Sequence, residues 1–310
     1  MSLVVALSGG IGGAKLALGL SHVLPPGELL VVANTGDDFE HLGLSISPDI
    51  DTLTYALAGL DNTELGWGRR DETWSFMETL ATLGGETWFR LGDRDLALHV
   101  ERTRRLRAGE TLSAITADIA RRLGIRARLL PMSDDAVCTR IRSDAGWIDF
   151  QDWFVRQRCA PPVLGLEFAG VAMARPAPGL LAALRGGGLR AVVICPSNPF
   201  ISIEPILAVP GLREAIAGCG APVIAVSPII AGQAVKGPTA QMFTQLGTPP
   251  SAAAVAARYS GLLTGYVMEA GDDASGIAAR VFRAPTLMRT LEDKAALARA
   301  VLAAADDLSA

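Results

Sequence analysis

Four short runs of almost unbroken apolar residues, at 3–7, 29–33, 191–195 and 223–226, constrain this chain more than any other feature. A strand with one face in water alternates apolar and polar residues, whereas a strand covered on both faces does not. Stretches with helical spacing, such as 14–23 and 212–217, separate the runs. That alternation predicts βαβ units, hence a Rossmann-like α/β fold whose mostly parallel sheet is flanked by helices. Each run ends in a polar or glycine-bearing loop: "SGGIGG", "NTGDD", "PSNP" and "SPII". Ligands of open α/β sheets bind beyond the carboxyl ends of the strands, so these four loops are expected to meet at one edge.

The 310 residues, half of them hydrophobic and 19% charged, suffice for one α/β domain over 1–310. A formal net charge of -4 argues against a nucleic-acid partner. Cys138, Cys159, Cys195 and Cys219 lie far apart, as do His22, His41 and His99. Neither set has zinc-ligand spacing, and reduced thiols are expected. The amino terminus lacks a basic region before its apolar run, and no segment approaches the ~20 apolar residues of a membrane helix. The expectation is a cytoplasmic protein with no membrane contact. Residues 51–128 are mostly helical in pattern and read as an insertion or lid. Within them Leu112, Ile115, Ile119 and Leu123 form an apolar stripe, with Gly124 placed to end the helix. A closing helix follows Thr290, a candidate N-cap.

The first loop fails both familiar phosphate motifs. Ala14 and Leu16 around Lys15 break a P-loop, and Lys15 stands where a dinucleotide fingerprint counted from Gly10 needs its third glycine. The physics remains: Gly9, Gly10, Gly12 and Gly13 let backbone N–H groups approach an anion at a helix N-terminus, and Lys15 adds a cation. Tight-turn packing is the alternative.

The second loop carries Asp37 and Asp38, and a Ser-Pro turn then brings Asp49 and Asp51. Four carboxylates beside a phosphate would repel it unless a cation such as Mg²⁺ intervened. Asp51 could instead cap a helix beginning near Thr52. Six arginines (Arg90, Arg94, Arg102, Arg104, Arg105 and Arg107) could clamp an anion or line a solvated helix face. Arg90, beside the "LGDRD" turn, stands out among them. "PMSDD" at 131–135 could be another site loop or an ordinary turn. Ser197 and Asn198 sit between prolines that stiffen them, as donors for a base or phosphate or as a plain turn. Lys236 is a further candidate phosphate contact. No Ser-His-Asp or Cys-His set can be argued, and positioning chemistry of the phosphoryl-transfer kind suits the inventory.

Eight blocks occur in order: "SGGIGGAKLALGL", "VVANTGDD", "ISPDIDTLTYALAG", "LGDRDLALH", "LPMSDDAVCTRI", "GWIDFQDWFV", "CPSNPFISIEPIL" and "IAVSPIIAGQAVKGP". Together they resemble the 2-phospho-L-lactate transferase family of coenzyme F-420 biosynthesis. The resemblance implies a Mg²⁺-dependent transfer of a phosphoacid from a guanosine diphosphate-linked donor to the ribityl hydroxyl of 7,8-didemethyl-8-hydroxy-5-deazariboflavin, with release of GMP. Lactyl, enolpyruvyl and glyceryl variants of the donor differ too little for one sequence to separate them. By resemblance Asp51 and Arg90 fall at the deazaflavin-binding positions, where many relatives have lysine in place of Arg90. Gly9 to Lys15 would hold the diphosphate, and Ser197 and Asn198 would face the nucleotide. Asp37, Asp38 and Asp49 are the metal candidates, with Asp51 and Asp49 the catalytic ones and Asp51 the first choice to take the ribityl proton. The family also accommodates a homodimer, which no residue pattern derives. A non-catalytic, nucleotide-sugar-binding regulator of the same superfamily is the alternative; the acidic segment after the second strand favours the transferase.

Overall fold

A computed structural model describes residues 2–64 and 67–309 of the chain. Its centre is a sheet of seven strands: β1 (Leu3–Ser8), β2 (Leu29–Ala33), β3 (Arg128–Pro131), β4 (Leu189–Ile194), β5 (Val223–Val226), β6 (Gly265–Met268) and β7 (Arg280–Arg283). They lie in the order β3-β2-β1-β4-β5-β6-β7, and every neighbouring pair is parallel. Strand order therefore reverses between β1 and β4, which is where doubly wound sheets open a crevice.

Burial explains the unbroken apolar runs. Val5 and Leu7 of β1 point into one hydrophobic cluster, while Val4 and Ala6 point into the cluster on the opposite face. Both sets are buried, so neither face of the strand can be polar. On one face, α1 (Gly10–Val23) packs against the closing helix α6 (Leu291–Ser309). The Thr290 hydroxyl accepts the Asp293 N–H at 3.1 Å, as expected of an N-cap.

Four more helices lie between β2 and β3: α2 (Pro48–Leu57), α3 (Ser75–Thr82), α4 (Asp93–Arg107) and α5 (Leu112–Arg122). The helical stretch expected over 51–128 is thus the β2-to-β3 crossover, drawn out and begun by Pro48 at the first turn of α2. Gly124 follows the α5 C-cap with φ +71°, as the sequence suggested.

Three sheet strands escaped the sequence reading. Arg128–Pro131 and Arg280–Arg283 are the two edges, short and bearing charge or proline where no neighbour covers them. Gly265–Met268 is buried but only four residues long. A small antiparallel sheet of Cys138–Ser143, Gly146–Asp149 and Gly165–Ala169 was also unforeseen. Among the described residues no helix is long and apolar enough to cross a membrane, and all four cysteines are free thiols.

Candidate active site

A cavity of about 720 Å³ opens over the carboxyl ends of β1 and β4, with the helical crossover as its far wall. The glycine loop and "PSNP" form its floor. The helix after β1 starts at Gly10, four residues earlier than the spacing alone suggested, because its glycines are needed for packing rather than for a free loop. Gly10 has φ +62°, in the left-handed region that side chains avoid. A Cβ on Gly12 would stand 2.4 Å from the Pro196 carbonyl oxygen. Both loops are thereby pressed together. Ser197 clasps them: its hydroxyl donates to the Gly9 carbonyl at 2.7 Å and accepts the Gly9 N–H at 3.2 Å. The Asn198 side chain accepts the Phe200 N–H at 2.9 Å and so caps the turn that follows. Ser197 and Asn198 line the cavity, but these bonds tie them first to the protein. Lys15 also reaches the cavity, and its ammonium donates to the Met288 carbonyl at 2.9 Å.

Asp49, from the first turn of α2, lies across the mouth of α1. One carboxylate oxygen accepts the Gly10 N–H at 2.5 Å and the other accepts from the Asn34 amide at 2.9 Å. The same amide donates to Asp37 at 3.1 Å and to the Ile201 carbonyl at 3.1 Å. Asn34, the first residue after β2, therefore holds two buried carboxylates side by side. Burial pushes Asp49 up to about 6, against the bonds from Asn34 and Gly10 and with added repulsion from Asp51. Burial, then Asp49 and Asp38, raise Asp37 well above the usual carboxylate range. A cation between Asp37 and Asp49 would relieve that repulsion.

Asp38 does not join them. Its side chain accepts from the Ser47 hydroxyl at 2.7 Å and is absent from the cavity lining. Gly36 and Asp37 sit in a turn closed by the Asp38 N–H on the Thr35 carbonyl at 3.2 Å, and the chain leaves that turn with the Asp38 carboxylate held at Ser47 rather than beside Asp37. Of the expected trio Asp37, Asp38 and Asp49, Asp37 and Asp49 line the cavity and Asp38 does not, and among the described residues no three acidic, imidazole or thiol groups cluster as a metal site.

The far wall is built on charge. Asp51 does not cap α2, which starts three residues earlier at Pro48 with Ser47 as N-cap. Its carboxylate is gripped by both terminal nitrogens of Arg102, a residue 2% exposed. Arg102 also points a nitrogen at His99 Nδ1, 3.3 Å away. Arginine can only donate, so this contact assigns the ring proton to Nε2, which faces Asp95 at 3.1 Å. Tyr55 donates to the other oxygen of Asp95. Burial works against the charge of Asp95, but the bonds from His99 and Tyr55 prevail and hold it below the usual range. Asp51, Tyr55, Asp95 and His99 all line the cavity. Sequence reasoning missed Tyr55, His99 and Asn34, and reached Asp95 only as the last residue of the "LGDRD" turn. The signal lay in spacing: Asp95, His99 and Arg102 recur at four and three residues on α4, and Asp51 and Tyr55 at four on α2. Of the other arginines, Arg104 forms an exposed ion pair with Glu101, the largely buried Arg105 pairs with Glu110 and Asp118, and Arg107 binds the Gly43 carbonyl.

Trp67, Trp88, Phe89, Phe150 and Phe154 supply an aromatic side to the cavity. Arg90 borders it with its guanidinium 4.0 Å from the centre of the Trp74 ring. Lys236 also lies at the cavity. "PMSDD" serves structure instead: Asp134 accepts the Ser113 N–H at 2.6 Å and Asp135 the Arg175 N–H at 2.8 Å.

Residues 4–276 match the family model described as 2-phospho-L-lactate transferase CofD. A Streptomyces griseus protein named phosphoenolpyruvate transferase is 42% identical over 320 residues, covering 99% of each chain. One of the same name from Mycobacterium sp. (strain KMS) is 38% identical over 322 residues, covering 96% of this chain and 97% of its own. Among solved structures, a Bacillus halodurans member of the UPF0052 family superposes with a TM-score of 0.63 at 13% identity, covering 97% of this chain and 100% of that one. That likeness bears on the fold alone.

Proposed function

The chain belongs to the CofD family of 2-phospho-L-lactate transferases, enzymes of coenzyme F-420 biosynthesis, and from that premise we propose that it transfers an enolpyruvyl phosphate. The donor is the guanosine diphosphate-linked acid and the acceptor is the ribityl hydroxyl of 7,8-didemethyl-8-hydroxy-5-deazariboflavin. The acceptor oxygen bonds to the phosphorus that bears the acid, the bond from that phosphorus to the bridging oxygen breaks, and GMP leaves with the bridging oxygen. The product is a phosphodiester. The relatives named for phosphoenolpyruvate, at about 40% identity over nearly the whole chain, support the enolpyruvyl donor over the lactyl or glyceryl one.

One observation carries the reading: a single cavity gathers an anion-receptive helix N-terminus, a pair of buried carboxylates, a charge-held aspartate and an aromatic side. Each suits one part of the two substrates. The α1 N-terminus, beside Gly9, Gly10, Gly12 and Lys15, receives the diphosphate; Gly13 packs against Ser8 and Ser197 outside the cavity lining and serves the close approach of the loops instead. The aromatic side faces the flat deazaflavin, with Arg90 at its border and Asp51 holding the ribityl hydroxyl. Asp51 takes the proton of that hydroxyl, with Arg102 and His99 fixing its position. Asp37 and Asp49 suit Mg²⁺, which is held through few carboxylates plus phosphate oxygens and would neutralise charge on the diphosphate. Ser197 and Asn198 act by stiffening the floor beneath the nucleotide.

The test is to incubate the protein with deazaflavin, Mg²⁺ and each of the three guanylylated acids, following GMP and product mass. Turnover fastest with the enolpyruvyl donor and abolished by EDTA is expected. A faster lactyl or glyceryl donor would overturn the donor, activity in EDTA would overturn the metal, and no turnover at all would overturn the transfer.

A further inference from the structure

A recess of about 90 Å³ branches from the main cavity beside the N-terminal ends of α1 and α6. Lys15, Lys236, Arg289 and Lys294 line it, and Asp61 is the one acidic residue to do so among the described residues. Lys15 and Lys236 also border the large cavity, so the two spaces share an edge. We infer that this recess is an anion site that takes the carboxylate of the donor acid.

Buried charge is ordinarily paired, because desolvating a lone ammonium is costly. Lys294 is only 7% exposed. None of the four cations forms an ion pair among the described residues; Lys236 and Arg289 are exposed to solvent, Lys15 is half-buried and donates to the Met288 carbonyl, and Lys294 is the buried one of the four. The position of Lys294 is set by helix packing: a Cβ on Gly19 of α1 would lie 2.1 Å from the Lys294 carbonyl oxygen. With its backbone pressed against α1, a side chain on α6 leans toward the α6 N-terminus, where the recess lies. Burial, then Lys236 and Lys294, pull the Lys15 ammonium below the usual lysine range, with Asp61 opposing. A concentration of like charge next to a ligand cavity, in a chain of net charge -4, calls for an anion that the protein itself does not supply.

The choice of carboxylate rests on the transferase reading. There the diphosphate is met by the α1 N-terminus and by a cation at Asp37 and Asp49, while the deazaflavin carries no carboxylate. The remaining ionic group is the carboxylate of the phosphoacid, one carbon beyond the ester oxygen. A recess this small, opening beside Lys15, suits that group rather than a second nucleotide phosphate.

Calorimetric titration with free phosphoenolpyruvate and with GDP, on the wild-type protein and on Lys294→Met, tests the inference without turnover. The substitution keeps the side-chain length and removes the charge. Phosphoenolpyruvate is expected to bind Lys294→Met about tenfold more weakly, with GDP affinity and thermal midpoint retained and Lys294→Arg recovering part of the loss. A wild-type protein that does not bind phosphoenolpyruvate would overturn the inference, as would unchanged affinity in Lys294→Met. An equal loss for GDP would mean that the recess reads phosphate. Absence of GMP release from every donor in the wild type would instead count against the transferase reading.

Discussion

The floor and the far wall of the cavity hold their functional groups by opposite means. On the floor, β1 and β4 bring two loops so close that backbone meets backbone, and the binding groups are N–H donors of a helix end. On the wall, Asp51 projects from α2 and is held by a buried arginine of α4, a helix reached only through a long stretch of chain. The floor depends on glycines that let two loops meet, with the Ser197 hydroxyl clasping them, and the wall on one buried ion pair. Precision at the floor therefore comes with the sheet itself, whereas the wall must be locked separately, by electrostatics that fail if either partner is lost.

The largest effect should come from breaking the wall. Arg102→Met leaves Asp51 desolvated without its partner, and removing one member of a buried pair costs roughly 3–5 kcal/mol. Urea denaturation should show that loss. The double variant Arg102→Met/Asp51→Asn should regain a good part of it, because the orphaned charge is gone. A single variant as stable as wild type would mean that the wall is held by packing, as the floor is.

Breaking the floor should cost less stability and more ligand affinity. Gly12→Ala places a methyl against the Pro196 carbonyl, so one loop must move. Overpacking of this kind costs about 2 kcal/mol. The displaced N–H groups should weaken GDP binding out of proportion to that change, whereas Arg102→Met should weaken deazaflavin binding more than GDP binding. Equal effects of the two variants on both ligands would dissolve the distinction.

The same contrast explains what could be read from sequence. The sheet's inner strands were legible because burial on two faces leaves no polar residue in the run, as in Val4 to Leu7. The floor was legible because strand ends and glycines are local signals. Edge strands such as Arg280–Arg283 were not, since a half-covered strand can carry charge. Nor was the use of Asp38, whose direction depends on Ser47 nine residues away in the chain. Asp51 was readable as a candidate, but the pairing that fixes it spans 51 residues and joins two helices. Pattern within α4 marks Asp95, His99 and Arg102 as one face without saying what that face meets.

The smallest expected effect isolates burial from charge on that same helix. Arg104 lies two residues after Arg102 and grips Glu101 with two nitrogens at 2.8 Å each, a geometry that on paper rivals the Asp51 pair. Its side chain is 63% exposed, so water already solvates both ions and salt screens their attraction. Arg104→Ala should leave the urea midpoint, the GDP affinity and the transfer rate within experimental error of wild type. If it instead approached the loss expected of Arg102→Met, the stability of α4 would lie in its arginines as a set, and the special standing of the pair that faces the cavity would be lost.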